Sequence, residues 1–437
     1  MASTQLTRSI SSTGNRKTAT FSAWVKKCDP TKDTQVLLNF AGTYDIYLHQ
    51  GGLRWNDGSG NFWYTNALQR DTSGFYHIVI AIDTTQATAS DRVKGYINGV
   101  EETSLLNSSY PSQNADLNMN VASTTNYIGN NNSGTGYFDG IMSHVHWIDG
   151  TAYDASAFGE YDANGVWTIK TSPSVTYGTN GFFILKDGNS VTDQSGNGNN
   201  FTVGGGTLTN TLDCPDNVFA TMNPLDGHIS HMVFSHGNNT VDNGSTASLN
   251  SYATSTIGMS SGKFYFEAKN VTNANWQSMG ISDRPSPDNT NSLGTNAYDY
   301  GYQNGDGAKL NNSSQTSYGN SYTTNDIIGC AVDLDNLKIY FSKNGVWQNS
   351  GDPESGATGT GAAFTITAPS LTSTGFYFFA VGDNTAANSS KWSANFGNGY
   401  FGTTAVASAG TNASGIGIFE YDVPNGYTAL STKGLNL

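Results

Sequence analysis

Ile78-Val79-Ile80-Ala81-Ile82-Asp83, followed by Val93-Lys94-Gly95-Tyr96-Ile97-Asn98-Gly99, is the stretch that decides the fold. Each run has strand length and the period of two that sets one face of a strand on a core. Asn98-Gly99 is the pair that a tight primed turn prefers, because both central residues of that turn need positive φ. The spacing therefore predicts two antiparallel strands ending in a hairpin turn.

The same grammar extends outward. Phe21-Ser22-Ala23-Trp24-Val25-Lys26 and Tyr44-Asp45-Ile46-Tyr47-Leu48-His49 alternate upstream, separated by turn clusters such as Asn56-Asp57-Gly58 and Thr72-Ser73-Gly74. Downstream, Lys263-Phe264-Tyr265-Phe266-Glu267-Ala268, Ala331-Val332-Asp333-Leu334 and Leu337-Lys338-Ile339-Tyr340-Phe341-Ser342 repeat the pattern, with Asn344-Gly345 as a second Asn-Gly turn. Ile80–Gly99 and Ala331–Gly345 echo one another as strand, strand and Asn-Gly. Many short strands with regular turns predict sandwiches.

Composition agrees. The 437 residues carry 20 basic and 34 acidic side chains, 12% charged, with 51 glycines and 12% aromatics. An ordinary domain is roughly 25% charged, so polarity here comes from Asn, Ser, Thr and Gly. Such a chain is poor in helix formers and too aromatic to be a disordered polymer. The expected class is all-β: two tandem antiparallel β-sandwiches (jelly rolls) joined by a Gly/Asn-rich connector. The expected boundaries are 1–170 for the first domain, 171–227 for the connector with short strands, 228–400 for the second domain, and 401–437 for a tail packing on a domain or a neighbour. Gly204-Gly205-Gly206, in the connector, reads as a flexible turn, since no Lys-Ser/Thr follows it to hold a phosphate.

A net charge of −14 argues against nucleic acid and anionic lipid as partners. The apolar runs Ile78–Ile82 and Phe376–Val381 are far shorter than the roughly 18 residues of a membrane span. The first residues show no apolar signal region, so folding in a cytoplasm is expected. Cys28, Cys214 and Cys330 are too widely spaced for a zinc pattern or a disulfide framework and read as inert thiols.

Phe21–Lys26, Phe75–Asp83, Lys94–Val100, Ile128-Gly129 and Tyr137-Phe138-Asp139-Gly140 together resemble the laminin G-like (concanavalin A-like) jelly roll over most of residues 4–150. Gly262–Glu267, Met279-Gly280-Ile281, Tyr300-Gly301-Tyr302, Asp326–Asp335, Ile339–Gly345 and Ala394-Asn395-Phe396-Gly397 resemble the SPRY family over about 228–400. That second resemblance implies a bent β-sandwich that binds partners through loops at one rim, without catalysis. The pair, joined by Ser195–Thr202 and Phe219–Leu225, is similar to virion proteins of aquatic tailed bacteriophages. It implies a non-enzymatic structural protein of the particle, as tail or head fibre or decoration, adhering to host-surface glycan. The implied location is the virion, after folding in the host bacterial cytoplasm; the implied partners are other virion proteins, with a homo-oligomer, by analogy a trimer.

The motif content agrees with the non-enzymatic expectation. The spacing Glu-x-Asp-x-x-Glu of jelly-roll glycan hydrolases is missing, Asp333 and Asp335 form an i, i+2 pair without a third carboxylate, and no Gly-x-Ser-x-Gly or His-Glu-x-x-His occurs. Glu101-Glu102 and Glu160 beside Asp162 read as solvated acids. A polysaccharide depolymerase and a bacterial surface adhesin are the rival readings. His144 and His146, and the group His228, His231 and His236, have residue types that bind metal, but packed or edge-facing histidines are the preferred reading and no metal site is expected. Calcium is conceivable from Asp57, Asp83, Asp91 and Asp139, but their spacing gives no decisive ligand set and Asp is an ordinary turn former. No cofactor is expected.

Sugar rings stack on aromatic faces while amides and carboxylates bond their hydroxyls. On that logic the expected ligand-binding residues of the first domain are Trp55, Asn56, Asp57, Asn61, Trp63 and Tyr64. The competing reading of this stretch is a hairpin whose aromatics alternate between core and surface. Those of the second domain are Trp276, Asp283, Arg284, Tyr298, Tyr302, Asn304 and Asp306, which the SPRY resemblance places on or near binding loops. Tyr298, Tyr300 and Tyr302 share a strand face, so they stand together as core or as binding surface.

Overall fold

The computed structural model describes residues 3–186, 188, 190–225, 231–243, 250–273, 276–288, 290–383 and 390–437. It divides into two compact units, the first made of residues 1–210 with 214–216 and the second of 211–213 with 217–437. Both are antiparallel β-sandwiches. Among the described residues no helix is long and apolar enough to cross a membrane.

The strands of the first unit are β1 (Gln5–Ser9), β2 (Thr18–Lys27), β3 (Thr34–Phe40), β4 (Tyr44–His49), β5 (Gly52–Asn56), β6 (Phe62–Leu68), β7 (Tyr76–Asp83), β8 (Val93–Ile97), β9 (Val100–Glu101), β10 (Leu105–Ser109), β11 (Thr125–Ile128), β12 (Gly140–Asp149), β13 (Gly159–Tyr161), β14 (Trp167–Ile169), β15 (Phe182–Ile184) and β16 (Thr202–Gly205). One sheet has the order β10-β6-β5-β4-β3-β11-β1-β16 and the other β15-β12-β2-β7-β8-β9. Their inner faces meet in a core that includes Phe21, Trp55, Trp63, Ile78, Ile80, Trp147 and Phe182. The expected turn is present, with φ of 49° at Asn98 and 84° at Gly99.

The stretch expected to connect the domains contributes to the first one. β15 pairs with β12 and β16 with β1, and Phe201 lies in the core. Gly204 and Gly205 are strand residues rather than a turn; a Cβ at Gly204 would lie 2.8 Å from Thr7 Cγ2, so the missing side chain permits the close approach of β1. Asp193 holds this segment in place. Its carboxylate accepts from the backbone N–H of Phe183, Ser195 and Asn199 and from the Ser195 hydroxyl.

In the second unit the strands are β17 (Val233–Ser235), β18 (Thr240–Asp242), β19 (Ser251–Thr254), β20 (Lys263–Thr272), β21 (Ser278–Ser282), β22 (Tyr300–Gln303), β23 (Ala308–Asn311), β24 (Ser314–Ser317), β25 (Ile327–Asp333), β26 (Lys338–Lys343), β27 (Val346–Trp347), β28 (Phe364–Thr365), β29 (Phe378–Asp383) and β30 (Lys391–Asn395). The path of one sheet is β17-β18-β30-β20-β25-β26-β27 and that of the other β19-β29-β21-β22-β23-β24. Phe266, Tyr302, Phe341, Phe379 and Trp392 fill the space between them. Asn344 and Gly345, at φ of 49° and 79°, repeat the turn of the first unit.

Alternation predicts one buried face per strand, yet β7 and β25 are buried on both. A third layer explains this in each unit. In the first, Tyr153, Phe158, Trp167 and Tyr177 pack on Val79 and Ile148, on the outer face of the β7 sheet. In the second, Phe419, Val423 and Tyr427 pack with Phe219 on Tyr265, Ala331 and Tyr340, so the tail covers the outer face of the β25 sheet.

Candidate functional site

With those outer faces covered, the outer face of the β10-to-β16 sheet of the first unit is the surface whose chemistry stands out. On β4 the burial alternates, with Tyr44, Ile46 and Leu48 inward and Asp45, Tyr47 and His49 half-buried on the outside. Register then sets the neighbours, because directly opposed residues share a face. Tyr47 opposes Arg54, Arg54 opposes Tyr64 and Tyr64 opposes Asn107. The adjacent row runs Asp45, Asn56, Phe62 and Ser109.

These rows form an aromatic and amide platform. The Phe62 and Tyr64 rings stack with centroids 5.0 Å apart and planes at 23°. The Arg54 guanidinium lies 4.5 Å above the Tyr64 centroid, a cation–π contact. Burial pushes the Tyr47 phenol up to about 12, with Tyr64 adding to the rise and Arg54 opposing it. Burial also raises the Asp45 carboxyl, against the amides of Asn39 and Asn56, the first of which donates to Asp45 at 2.7 Å. Flat rings flanked by amides and one carboxylate can stack on a sugar and bond its hydroxyls.

The hairpin reading of Trp55–Tyr64 therefore describes the stretch, and it corrects part of the expected site. Trp55 and Trp63 are opposed to each other and turned into the core, 0% and 2% exposed. Asp57 is buried as the hub of the turn, accepting from the backbone N–H and side chains of both Ser59 and Asn61. Asn61 is occupied in that turn. Of the six expected residues, Asn56 and Tyr64 reach the platform, while Tyr47, Arg54 and Phe62 belong to it and were not singled out. The signal that identifies Arg54 is local: in Leu53-Arg54-Trp55-Asn56 the apolar positions fix the phase.

The second unit sorts its expected residues in the same way. Tyr302 is a core residue that stacks on Phe341, and Tyr298 and Tyr300 pack into the same core, so the three tyrosines stand together as core. Asp283 is fully buried and accepts from the Ser373 N–H, with the Arg284 guanidinium 3.6 Å away. Asn304 is buried and donates to Asn273. Asp306 accepts from Gln303, Gln315 and the Ala308 N–H. Trp276 is 40% exposed, at φ of 68°, with its ring so close to the β22–β23 turn that a Cβ at Gly305 would lie 3.0 Å from it. A bulky residue in the left-handed region is uncommon and stores backbone strain. Trp276 remains the presentable aromatic of this unit's expected set.

The groups with reactive types have structural duties. Ser22 Oγ lies 2.9 Å from His77 Nε2, but the Trp167 indole donates to His77 Nδ1 at 3.0 Å. Nδ1 is thus the acceptor and Nε2 carries the proton, so the imidazole donates to Ser22 and cannot take its proton. Burial pushes His77 down to about 3, which keeps it neutral. Asp333 pairs with Lys263 at 3.0 Å and Asp335 accepts from the Gly262 N–H. His146 stacks on Phe183 and bonds Tyr177, and a bulge in β12 puts His144 at φ of 51°, which breaks the expected His-x-His alternation. His231 bonds Asn243 and Ser251, His236 bonds Thr240, and His228 lies outside the described residues. Asp83 accepts from Thr85 and Gln86 within its own turn. Among the described residues no three His, Cys, Asp or Glu side chains gather as a metal site.

Two jelly-roll sandwiches, one with an aromatic platform, are the architecture of binding modules. In comparison with known proteins, residues 3–155 match the model of the concanavalin A-like lectin/glucanases superfamily, a laminin G-like domain, and residues 263–368 match that of the SPRY domain. Both are typically non-catalytic interaction modules. The chain is 34% identical over 95 residues to the ATP-dependent RNA helicase DDX1 of Xenopus laevis, covering 21% of this chain and 12% of the helicase. It is 38% identical over 95 residues to human Ran-binding protein 9, covering 21% of this chain and 13% of that protein. The chain thus spans a small fraction of each relative, and both relatives are eukaryotic. The SPRY domain of human HERC1 aligns with 21% identity over 40% of this chain and 96% of that domain, at a TM-score of 0.31.

Proposed function

We propose that this chain is a non-enzymatic adhesion protein that displays two β-sandwich modules, with the Tyr47–Arg54–Phe62–Tyr64 platform of the laminin G-like domain as its glycan-binding face. The platform carries the reading: stacked rings and amides lie on a sheet face on which no apolar cluster of the described residues forms. The SPRY domain is the complementary module, presenting Trp276 and its neighbouring loops to a protein partner. The setting we propose is a phage particle, with the chain as fibre or decoration bound to other virion proteins as a homo-oligomer. That setting is supported by the resemblance of the domain pair and its joining segment.

A glycan array of neutral and acidic polysaccharides tests the adhesion reading. The intact protein should bind at least one class, and Phe62→Ala with Tyr64→Ala should abolish that binding while the thermal melt is kept. Binding that survives the double substitution, or no binding to any glycan, sinks it. Mass spectrometry of purified particles tests the setting, which is lost if the chain is missing from them.

A further inference from the structure

We infer that the glycan taken by this platform is acidic, a hexuronan whose carboxylate is received by Arg54. The inference rests on the glycan reading of the face and adds the ligand's charge.

Among the described residues Arg54 is a cation without a counter-ion: it forms no ion pair and no hydrogen bond, and its contact is the Tyr64 ring at 4.5 Å. Other basic residues of this unit are paired or enclosed: Lys94 with Asp91 and Glu101, Lys170 with Glu160, Arg92 with the carbonyls of Gln86, Ala87 and Pro111, and Arg8 buried against the rings of Phe182 and Phe201. What sets Arg54 apart is its place: it lies half-buried on the open face with its N–H donors unused among the described residues, so a carboxylate from outside can reach it.

Geometry favours a carboxylate over a point-like anion. A guanidinium is planar, and its fork of N–H donors matches the two oxygens of a carboxylate. The flanking rings exclude water from one side, which strengthens the pairing. Direction follows as well. Asp45 lies two residues along β4 from Tyr47, a rise of about 6–7 Å, in the row of Asn56 and Phe62. A carboxylate on Arg54 therefore leaves the uncharged hydroxyls over Asn56 and Asp45, where amide donors and a carboxylate acceptor wait. The reverse placement sets like charges together.

The test uses the intact protein with polygalacturonate, alginate and hyaluronan, and with methyl-esterified polygalacturonate, which keeps the sugar backbone and masks the charge. At low salt at least one of the three acids should bind at least tenfold more tightly than the ester. The preference should collapse at high salt, a reading that needs no substitution. Arg54→Gln should erase the preference and Arg54→Lys should retain part of it, each with an unchanged melt. Equal binding of acid and ester, or a preference that Arg54→Gln retains, overturns the inference and leaves the platform standing. Failure of these and all neutral glycans to bind removes the platform itself.

Discussion

The two units have the same strand connectivity and opposite surfaces. The central path β12-β2-β7-β8-β9 of the first recurs as β30-β20-β25-β26-β27 in the second, and β1-β11-β3-β4-β5-β6 recurs as β19-β29-β21-β22-β23-β24. Even the turns agree: Asn98 exchanges bonds with His77, taking its N–H on the side chain and giving its own to the carbonyl, as Asn344 does with Ile327. A ring from the covering layer closes each turn, Trp167 against Gly99 and Tyr421 against Gly345. The difference is on the other sheet. In the second unit its outer face is paved with Gly280, Gly301, Gly382 and Ala380, with Tyr252 and Leu293 buried beside Ala380. In the first unit β4, the counterpart of β22, carries Tyr47 on that face, and β5 and β6, the counterparts of β23 and β24, carry Arg54 and Tyr64. Small residues make room for a covering layer and large ones make a platform, so one topology yields a closed face and an open one.

Breaking a core should have the largest effect. Trp147→Ala empties a fully buried site and should cost about 3–5 kcal/mol, read by urea denaturation of the first unit. If the Tyr64→Ala change on the platform costs as much, the open-face description fails.

The closed face should resist even a methyl group. A Cβ at Gly280 would come 1.9 Å from the Tyr300 carbonyl oxygen, so Gly280→Ala should destabilise the second unit by about 1–3 kcal/mol. Asn56→Ala, on the open face, should shift stability by less than about 0.5 kcal/mol.

Covering layers should respond to pH differently. Buried Glu267 accepts from the Tyr265 hydroxyl, the Asn395 amide and the N–H groups of Glu420 and Tyr421, and so holds the tail. Burial outweighs those donors and raises the carboxyl to about 7. The folded state therefore keeps a proton that the unfolded chain releases near pH 4.5. Stability of the second unit should fall as pH rises through that window, by at most about 1.4 kcal/mol per unit. Glu267→Gln should flatten the profile; an unchanged slope would assign it to other groups. The first unit should show the opposite sign: burial holds His77 down to about 3, so the unfolded imidazole takes up a proton below pH 6.5 that the folded one refuses, and stability should rise with pH up to that point and level off above it.

Two turn glycines separate turn strain from layer contact. Gly60 and Gly99 both have positive φ, but a Cβ at Gly60 meets nothing within 4 Å while one at Gly99 would come 2.5 Å from Trp167. Gly60→Ala should cost about 1 kcal/mol from backbone strain alone. Gly99→Ala should cost more, with the excess removed in a Trp167→Ala background.

Much of this was legible in the chain. The period of two in Tyr44–His49 gives the outward face of β4 correctly, and Asn-Gly marks both hairpins. Phe62-Trp63-Tyr64 was not legible by itself, because three consecutive aromatics have no phase. Its pairing with Leu53-Arg54-Trp55-Asn56 supplies the phase and turns Trp63 inward. The same limit applies to Asp283 and Asn304: polar residues near loops read as surface until the strands around them close.

Sequence alone determined the strands, the turns and the two-sandwich architecture, because these depend on φ preference and on apolar spacing over a few residues. Only the tertiary structure decided which faces are open. Whether Val79 or Tyr47 meets water depends on a layer supplied from Tyr153–Tyr177 for one and, among the described residues, on no such layer for the other, and burial of that kind is a property of distant segments meeting.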